Sequence, residues 1–97
     1  MQTYVILRRG AWQNGDDLAS AATRSKTVGE EMADDVRWIR SYILTESTGG
    51  LGSVCIYQAR SPEAIREHAG RVGMPADEII AVADTVIVRP DPAAVAA

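Results

Sequence analysis

Residues 36–59 restrict the fold more than any other stretch, because two strand signals flank one flexible turn. The segments VRWIRSYILTE (36–46) and SVCIYQA (53–59) are rich in β-branched and aromatic residues, which favour strands. STGGLG lies between them and is typical of a turn. The stretch therefore predicts a β-hairpin, which needs other elements to cover at least one of its faces.

A strand and a helix precede this hairpin in the sequence. Residues 3–9, TYVILRR, have the composition of a strand. The helix is predicted over 16–32, with N-capping and first-turn residues at positions 14–17. Its apolar stripe consists of small side chains at three- and four-residue spacing. The first helix should therefore lie close to the surface that it covers.

A second helix and a last strand follow the hairpin. Ser61 is a typical N-cap, Pro62 suits the first helical position and Gly73 suits the end of a helix. EIIAVADTVIVR (78–89) predicts the final strand, with a possible break near 83–84. The order β-α-β-β-α-β predicts a ferredoxin-like α+β fold, in which both helices cover one face of an antiparallel sheet. We expect one domain over 1–89 and a mobile tail over 90–97.

Composition excludes several classes of function. The formal net charge is −3, whereas nucleic-acid binding needs a clustered basic surface. No apolar run approaches the ~20 residues that span a bilayer. The chain starts with a strand pattern and not with a signal peptide, and one cysteine excludes an internal disulfide. We expect a cytoplasmic protein that binds neither nucleic acid nor membrane.

Strand alternation predicts two different sheet faces. We expect the helices to cover the plain apolar set, which is Val5, Leu7, Ile39, Ile43, Val54 and Ile56. The open face would then carry Tyr4, Ile6, Arg8, Trp38, Arg40, Tyr42, Leu44, Ser53, Cys55 and Tyr57. An aromatic and Arg-rich face predicts a homodimer interface. The alternative is a ligand pocket in which Arg40, Tyr42 and Tyr57 hold an anionic or phenolic molecule.

The only histidine, His68, lies at the edge of the apolar stripe of the second helix. Its helical neighbours at three and four residues offer no second metal ligand, so the helix supplies one ligand at most. The simpler interpretation is a hydrogen-bonded imidazole near a helix C-terminus. Asp77 and Glu78, in the following turn, are the nearest source of carboxylates. Cys55 is interpreted as a small buried side chain and not as a catalytic thiol.

Several short motifs resemble a family of small ferredoxin-like proteins that was first catalogued as a domain of unknown function and later described as nickel-binding. They are the Trp-x-x-Ser-Tyr run from Trp38, the Cys-x-Tyr strand from Cys55, the Ile-Arg-Glu-His-Ala helix from Ile65 and the Gly-x-Pro-Ala turn from Gly73. The resemblance covers about residues 36–79 and the first strand. It implies a homodimer and surface-bound nickel.

Under this resemblance, His68 is the one family ligand candidate that carries over to this chain. Members often have His at the position of Arg40, and an arginine cannot ligate a divalent ion. We therefore expect weak nickel binding through His68, helped by Asp77 or Glu78. Two alternatives stay open. One is a cofactor-free enzyme or small-molecule binder that uses the open sheet face, and the other is an interaction module without chemistry.

Overall fold

The computed structural model describes residues 1–93 and has the predicted order of elements. The strands and helices are β1 Gln2–Trp12, α1 Gly15–Glu31, β2 Val36–Thr45, β3 Leu51–Ala59, α2 Pro62–Val72 and β4 Glu78–Ala81. The strands form one antiparallel sheet in the order β2-β3-β1-β4. Each helix therefore connects two strands that have a third strand between them, which confirms the ferredoxin-like α+β fold.

The helix ends follow the local signals in the sequence. The Asn14 side chain accepts a hydrogen bond from the backbone N–H of Asp17, and the Ser61 side chain accepts one from that of Ala64. Each bond satisfies a donor that has no partner within its helix. Gly73 ends α2 with a φ of 82°, in the left-handed region that glycine adopts without strain.

The predicted assignment of β1 and β3 to the two sheet faces is wrong. Six residues expected on the open face are buried on the helix side, namely Tyr4, Ile6, Arg8, Ser53, Cys55 and Tyr57. They form three directly opposed pairs in the β1–β3 register, and Tyr57 contacts both helices. The plain aliphatic set of Val5, Leu7, Val54 and Ile56 is only half-buried and occupies the open face. Apolar character misled the prediction because both faces of these strands are largely apolar.

A β-bulge changes the phase of β2. The register shifts between Trp38 and Arg40, so that Ile39 is the additional residue. Trp38 therefore lies opposite Tyr57 on the helix side, contrary to the prediction. Beyond the bulge, Arg40 lies opposite Ile56 and faces the open side, as predicted. Tyr42 and Leu44 follow Arg40 on that side, whereas Ile43 lies opposite Ser53 on the helix side.

The last strand is shorter than predicted and ends at Ala81. Ala81 pairs with Tyr4, and the backbone N–H of Val82 still donates to the carbonyl of Thr3. Residues 82–93 form neither helix nor strand. Of the predicted tail, 94–97 lie outside the described residues.

The packed core lies between the sheet and the two helices. Ile65, Ala69 and Val72 of α2 are buried there together with Met32 and Val36. The helices also contact each other, since Arg24 donates to the carbonyl of Val72 at 3.1 Å. Neither helix in residues 1–93 is long and apolar enough to span a membrane.

Candidate functional site

A cavity of about 760 Å³ lies between α1 and the sheet. Its roof consists of the small side chains of α1, notably Ala21, Ala22, Ser25 and Gly29. The small stripe was predicted to bring the helix close to the sheet. Instead, these side chains do not fill the space above β2 and β3, and the volume that remains is within the range of small-molecule sites.

Arg8 lies at the floor of this cavity and is fully buried. Its Nε, Nη1 and Nη2 atoms have no hydrogen-bond partner among the described residues. The guanidinium carbon lies 6.0 Å from the centre of the Tyr57 ring, which gives the charge some cation–π stabilisation. A buried guanidinium that lacks a carboxylate or carbonyl partner is costly, because it has lost its hydration.

A row of hydroxyl and thiol groups lies beside Arg8 on the floor. Trp38 Nε1 donates to Ser41 Oγ at 2.7 Å, and Ser41 Oγ donates to Cys55 Sγ at 3.0 Å. Ser53 Oγ lies 3.3 Å from the same sulfur, and Ser53 is opposite Arg8 in the strand register. Cys55 is buried, as predicted, but it faces the helices and not the open side.

Tyr57 forms the aromatic wall of the cavity. Its hydroxyl lies 3.3 Å from Ser25 Oγ of α1, and its ring is stacked with that of Trp38 at 6.2 Å between centroids and 13° between planes. Burial raises the pKa of Tyr57, while the Ser25 hydrogen bond and the charge of Arg8 act in the opposite direction. A raised pKa keeps the phenol protonated and opposes proton transfer near neutral pH.

The cavity lining is more basic than the protein as a whole. Its charged residues are Arg8, Lys26, Arg37, Arg40 and Glu30. The Arg40 side chain faces the open side, where it pairs with Asp91, so its charge does not act on the cavity. Arg8 is the only one of these residues that is buried. Because the whole chain has a net charge of −3, this excess of positive charge is local and favours an anionic ligand.

The predicted ligand residues Arg40, Tyr42 and Tyr57 do not converge. Arg40 and Tyr42 lie on the open side, whereas Tyr57 is buried on the other side of the sheet. Asp91 occupies the place of the predicted anion, because its carboxylate accepts from Arg40 Nη1 at 3.1 Å and from the Tyr42 hydroxyl at 2.8 Å. The hydrogen bond to Asp91 is the main cause of the raised pKa of Tyr42.

The predicted metal residues are also separated. His68 is fully buried at the α1–α2 contact, where Nε2 forms a 3.1 Å hydrogen bond with the carbonyl of Ser25. Asp77 accepts from the backbone N–H of Arg9 at 2.7 Å, and Glu78 is exposed at the sheet edge opposite Leu7. Within residues 1–93, no three His, Cys, Asp or Glu side chains form a group that could hold a metal ion. The donors of one chain therefore do not fit a nickel site.

Sequence reasoning did not identify Arg8 as a candidate site residue. Its only signal was its position in the strand. Arg8 lies two residues after Ile6 and four after Tyr4, so the three side chains share one face of the strand. Placing Tyr4 and Ile6 on the covered face would have placed the charge there too. A charged residue in phase with a buried strand face is unusual, and such residues occur where a partner or ligand compensates the charge.

Comparison with known families agrees with the fold. The family model described as "Nickel responsive protein SCO4226-like" matches residues 4–82 of this chain. The chain belongs to this family. No curated protein matches the chain.

A solved structure extends the similarity beyond the sequence motifs. The crystal structure of SCO4226 from Streptomyces coelicolor A3(2) superposes with a TM-score of 0.69. The alignment covers 87% of this chain and 99% of that chain, with 22% sequence identity. At this identity the match supports the fold of the SCO4226-like family and not the identity of individual site residues.

Proposed function

We propose that this SCO4226-like protein binds a small anionic organic molecule in the cavity beneath α1. The observation that carries the proposal is the fully buried guanidinium of Arg8, which has no partner in residues 1–93. An anion bound there would supply the missing charge and acceptors. The proposal keeps the small-molecule binding that the sequence left open as an alternative to nickel binding, but moves its site to the helix-covered face.

The lining of the cavity supports this function in a second way. Arg8 is the buried charge of the lining, and small or apolar side chains form most of the walls. A site with apolar walls and few polar anchors is typical of small-molecule binding. Tyr57 is the phenol of this cavity, and burial raises its pKa, which favours a role in binding over one in proton transfer.

Thermal unfolding in the presence of a panel of small carboxylates, phosphates and sulfates tests this function. A ligand that binds only the folded state raises the midpoint temperature, and it does so more when its affinity is higher. We expect at least one anion to raise it for the wild type and not for Arg8→Met. The matched control is Arg9→Met, because Arg9 is exposed and pairs with Glu46. Equal shifts in Arg8→Met and the wild type, or no shift with any anion, would contradict the proposal.

We further propose that two copies associate through the open sheet face. No helix of residues 1–93 covers that face, where exposed Tyr42 and Ile80 accompany half-buried Val5 and Ile56. A dimer would bury this surface in the way that interface cores do. Sedimentation should show a dimer for the wild type and a monomer for Ile80→Lys, with Thr27→Lys on the exposed side of α1 as the control. A monomeric wild type would contradict this proposal.

Nickel binding is a second candidate function, which the description of the SCO4226-like family favours. In this form of the proposal, His68 provides the imidazole and Asp77 or Glu78 a carboxylate. Because His68 is buried and Asp77 is engaged by the backbone of Arg9, binding requires α2 and the following turn to shift. Calorimetric titration with Ni²⁺ should give weak binding that His68→Ala removes. Identical binding in both proteins, or none in either, rejects it.

A further inference from the structure

The Arg8 guanidinium favours a particular kind of anion. Arg8 is the only basic residue of the described chain that is buried at the cavity floor, while the other basic residues of the lining are exposed. A single deep cation suits a ligand whose charge lies at one end. The planar fork of a guanidinium matches the two oxygens of a carboxylate.

Ser53 provides a second polar group next to that charge. It is fully buried and lies directly opposite Arg8 across the β1–β3 pair. Side chains of directly opposed residues are about 5 Å apart at Cβ, which is close enough for one carboxylate to bridge them. Because neither residue has accessible surface, such a contact requires the side chains above them to move aside. The Ser53 hydroxyl has only the Cys55 sulfur as a side-chain partner, which is a weak acceptor.

The walls above this floor favour a flat apolar body. On the sheet side, Trp38 and Tyr57 present nearly parallel rings. On the helix side, the short side chains of Ala21 and Ala22 leave space for a ring to lie between α1 and the sheet. Aromatic rings gain stabilisation from offset stacking that an aliphatic chain of equal area does not gain.

We propose that the ligand is an aromatic monocarboxylic acid, bound with its carboxylate on Arg8 and Ser53 and its ring alongside Trp38. This assignment rests on the proposed small-molecule function and narrows it to one chemical class. A phosphate or sulfate would fill only the floor, and an aliphatic acid would forgo the aromatic wall.

Calorimetric titration of the full chain with four probes tests the class of ligand. The probes are 2-naphthoate, decanoate, the uncharged 2-naphthylmethanol and inorganic phosphate. We expect 2-naphthoate to bind at least about tenfold more tightly than each of the others, because only it satisfies both the cation and the aromatic wall. Tenfold corresponds to about 1.4 kcal/mol, which is below the contribution of one charged hydrogen bond.

Variants separate the two ends of the ligand. Arg8→Met should weaken 2-naphthoate binding at least about tenfold and leave 2-naphthylmethanol binding unchanged. Trp38→Leu should weaken both naphthyl probes and leave decanoate unchanged. Ala22→Leu should block all three organic probes by filling the cavity. The control Arg9→Met should bind each probe as the wild type does.

The outcomes distinguish this inference from the function on which it rests. If decanoate or phosphate binds as tightly as 2-naphthoate and depends on Arg8, the aromatic class is wrong and the anion site stands. If 2-naphthoate binds equally to the wild type and Arg8→Met, both are wrong. Absence of binding by every probe to the folded wild type likewise overturns both.

Discussion

The two helices cover the same sheet, but the layers beneath them differ. Under α2, Ile65, Ala69 and Val72 are buried, and Ile65 is part of the hydrophobic core of the protein. Under α1, only Ala21 and Ser25 are buried, and a cavity separates the helix from β2. The α2 side therefore provides most of the packing, whereas the α1 side has an unfilled space and an uncompensated charge.

This difference indicates how a chain of 97 residues can keep both a stable fold and a cavity. Buried apolar area stabilises a domain of this size only modestly, so an unfilled region must be offset by good packing elsewhere. The α2 side carries both the better-defined helix end and the larger buried side chains. The α1 side is then free to have a shape and charge that serve binding.

Truncation of a large side chain should show the largest contrast between the two regions. We expect Ile65→Ala to lower the free energy of unfolding by about 3 kcal/mol, because it leaves a cavity in a packed core. Leu18→Ala, at the half-buried edge of the existing cavity, should cost less than about 1 kcal/mol. Urea unfolding followed by circular dichroism measures both. Equal losses would show that the α1 side is as tightly packed as the α2 side.

Removal of the buried charge should have the next largest effect, and it should be stabilising. We expect Arg8→Met to raise the free energy of unfolding of the ligand-free protein by about 2 kcal/mol, because an unpaired buried cation is replaced by an apolar chain of similar length. The exposed Arg9→Met should change it by less than about 0.5 kcal/mol. Destabilisation by Arg8→Met would mean that the guanidinium stabilises the ligand-free fold, which contradicts a role as an uncompensated charge for a ligand.

A pH titration tests the α1–α2 contact through His68. Burial is the main cause that lowers the pKa of His68, and the charge of Arg8 acts in the same direction against the Ser25 hydrogen bond. The unfolded chain therefore binds the proton more readily, so the stability from the neutral imidazole is complete above about pH 6.5. It is lost as the pH falls below that value towards the folded pKa, by at most about 1.4 kcal/mol per pH unit.

The control for this titration is His68→Gln, since the chain has no other histidine. As the pH falls from about 7.5 to about 5.5, the free energy of unfolding should decline for the wild type and stay nearly level for the variant. Parallel profiles would show that other groups cause the pH dependence and that His68 is accessible to protons in the folded state.

Loss of a helix cap should have the smallest effect and should not distinguish the two regions. Asn14→Ala and Ser61→Ala each remove one side-chain acceptor for a backbone N–H and should each cost about 1 kcal/mol. Chemical unfolding of both variants checks this. A much smaller loss for Asn14→Ala would indicate that the first turn of α1 contributes little to the folded state.

Local signals predicted the elements well because each depends on near neighbours in the chain. Ser61, Pro62 and Gly73 bound α2 where the sequence placed it, and the order of elements was sufficient for the ferredoxin-like fold. The end of β4 was missed because TVIVR has a strand-like composition of its own, although pairing with β1 ends at Ala81.

The candidate site was harder to predict than the fold. The choice between Val5 and Ile6 for the covered face has no local signal, since both residues are aliphatic and β-branched. The bulge at Ile39 then decides that Trp38 and Arg40 face opposite sides, although both lie in one uninterrupted strand pattern. The sequence predicted a hydrogen-bonded imidazole at His68 as the simpler interpretation. Only the position of α1 shows that the partner of this imidazole is the backbone carbonyl of Ser25.

The sequence by itself determined the order of strands and helices, the helix ends and the membership of the SCO4226-like family, because these features depend on short-range propensity and motif spacing. Only the tertiary structure decided which sheet face the helices cover, and hence that Arg8 is buried. That choice depends on how the side chains of β1, β3 and both helices pack together. Because of this packing, an arginine in an ordinary strand pattern lies buried beside a cavity.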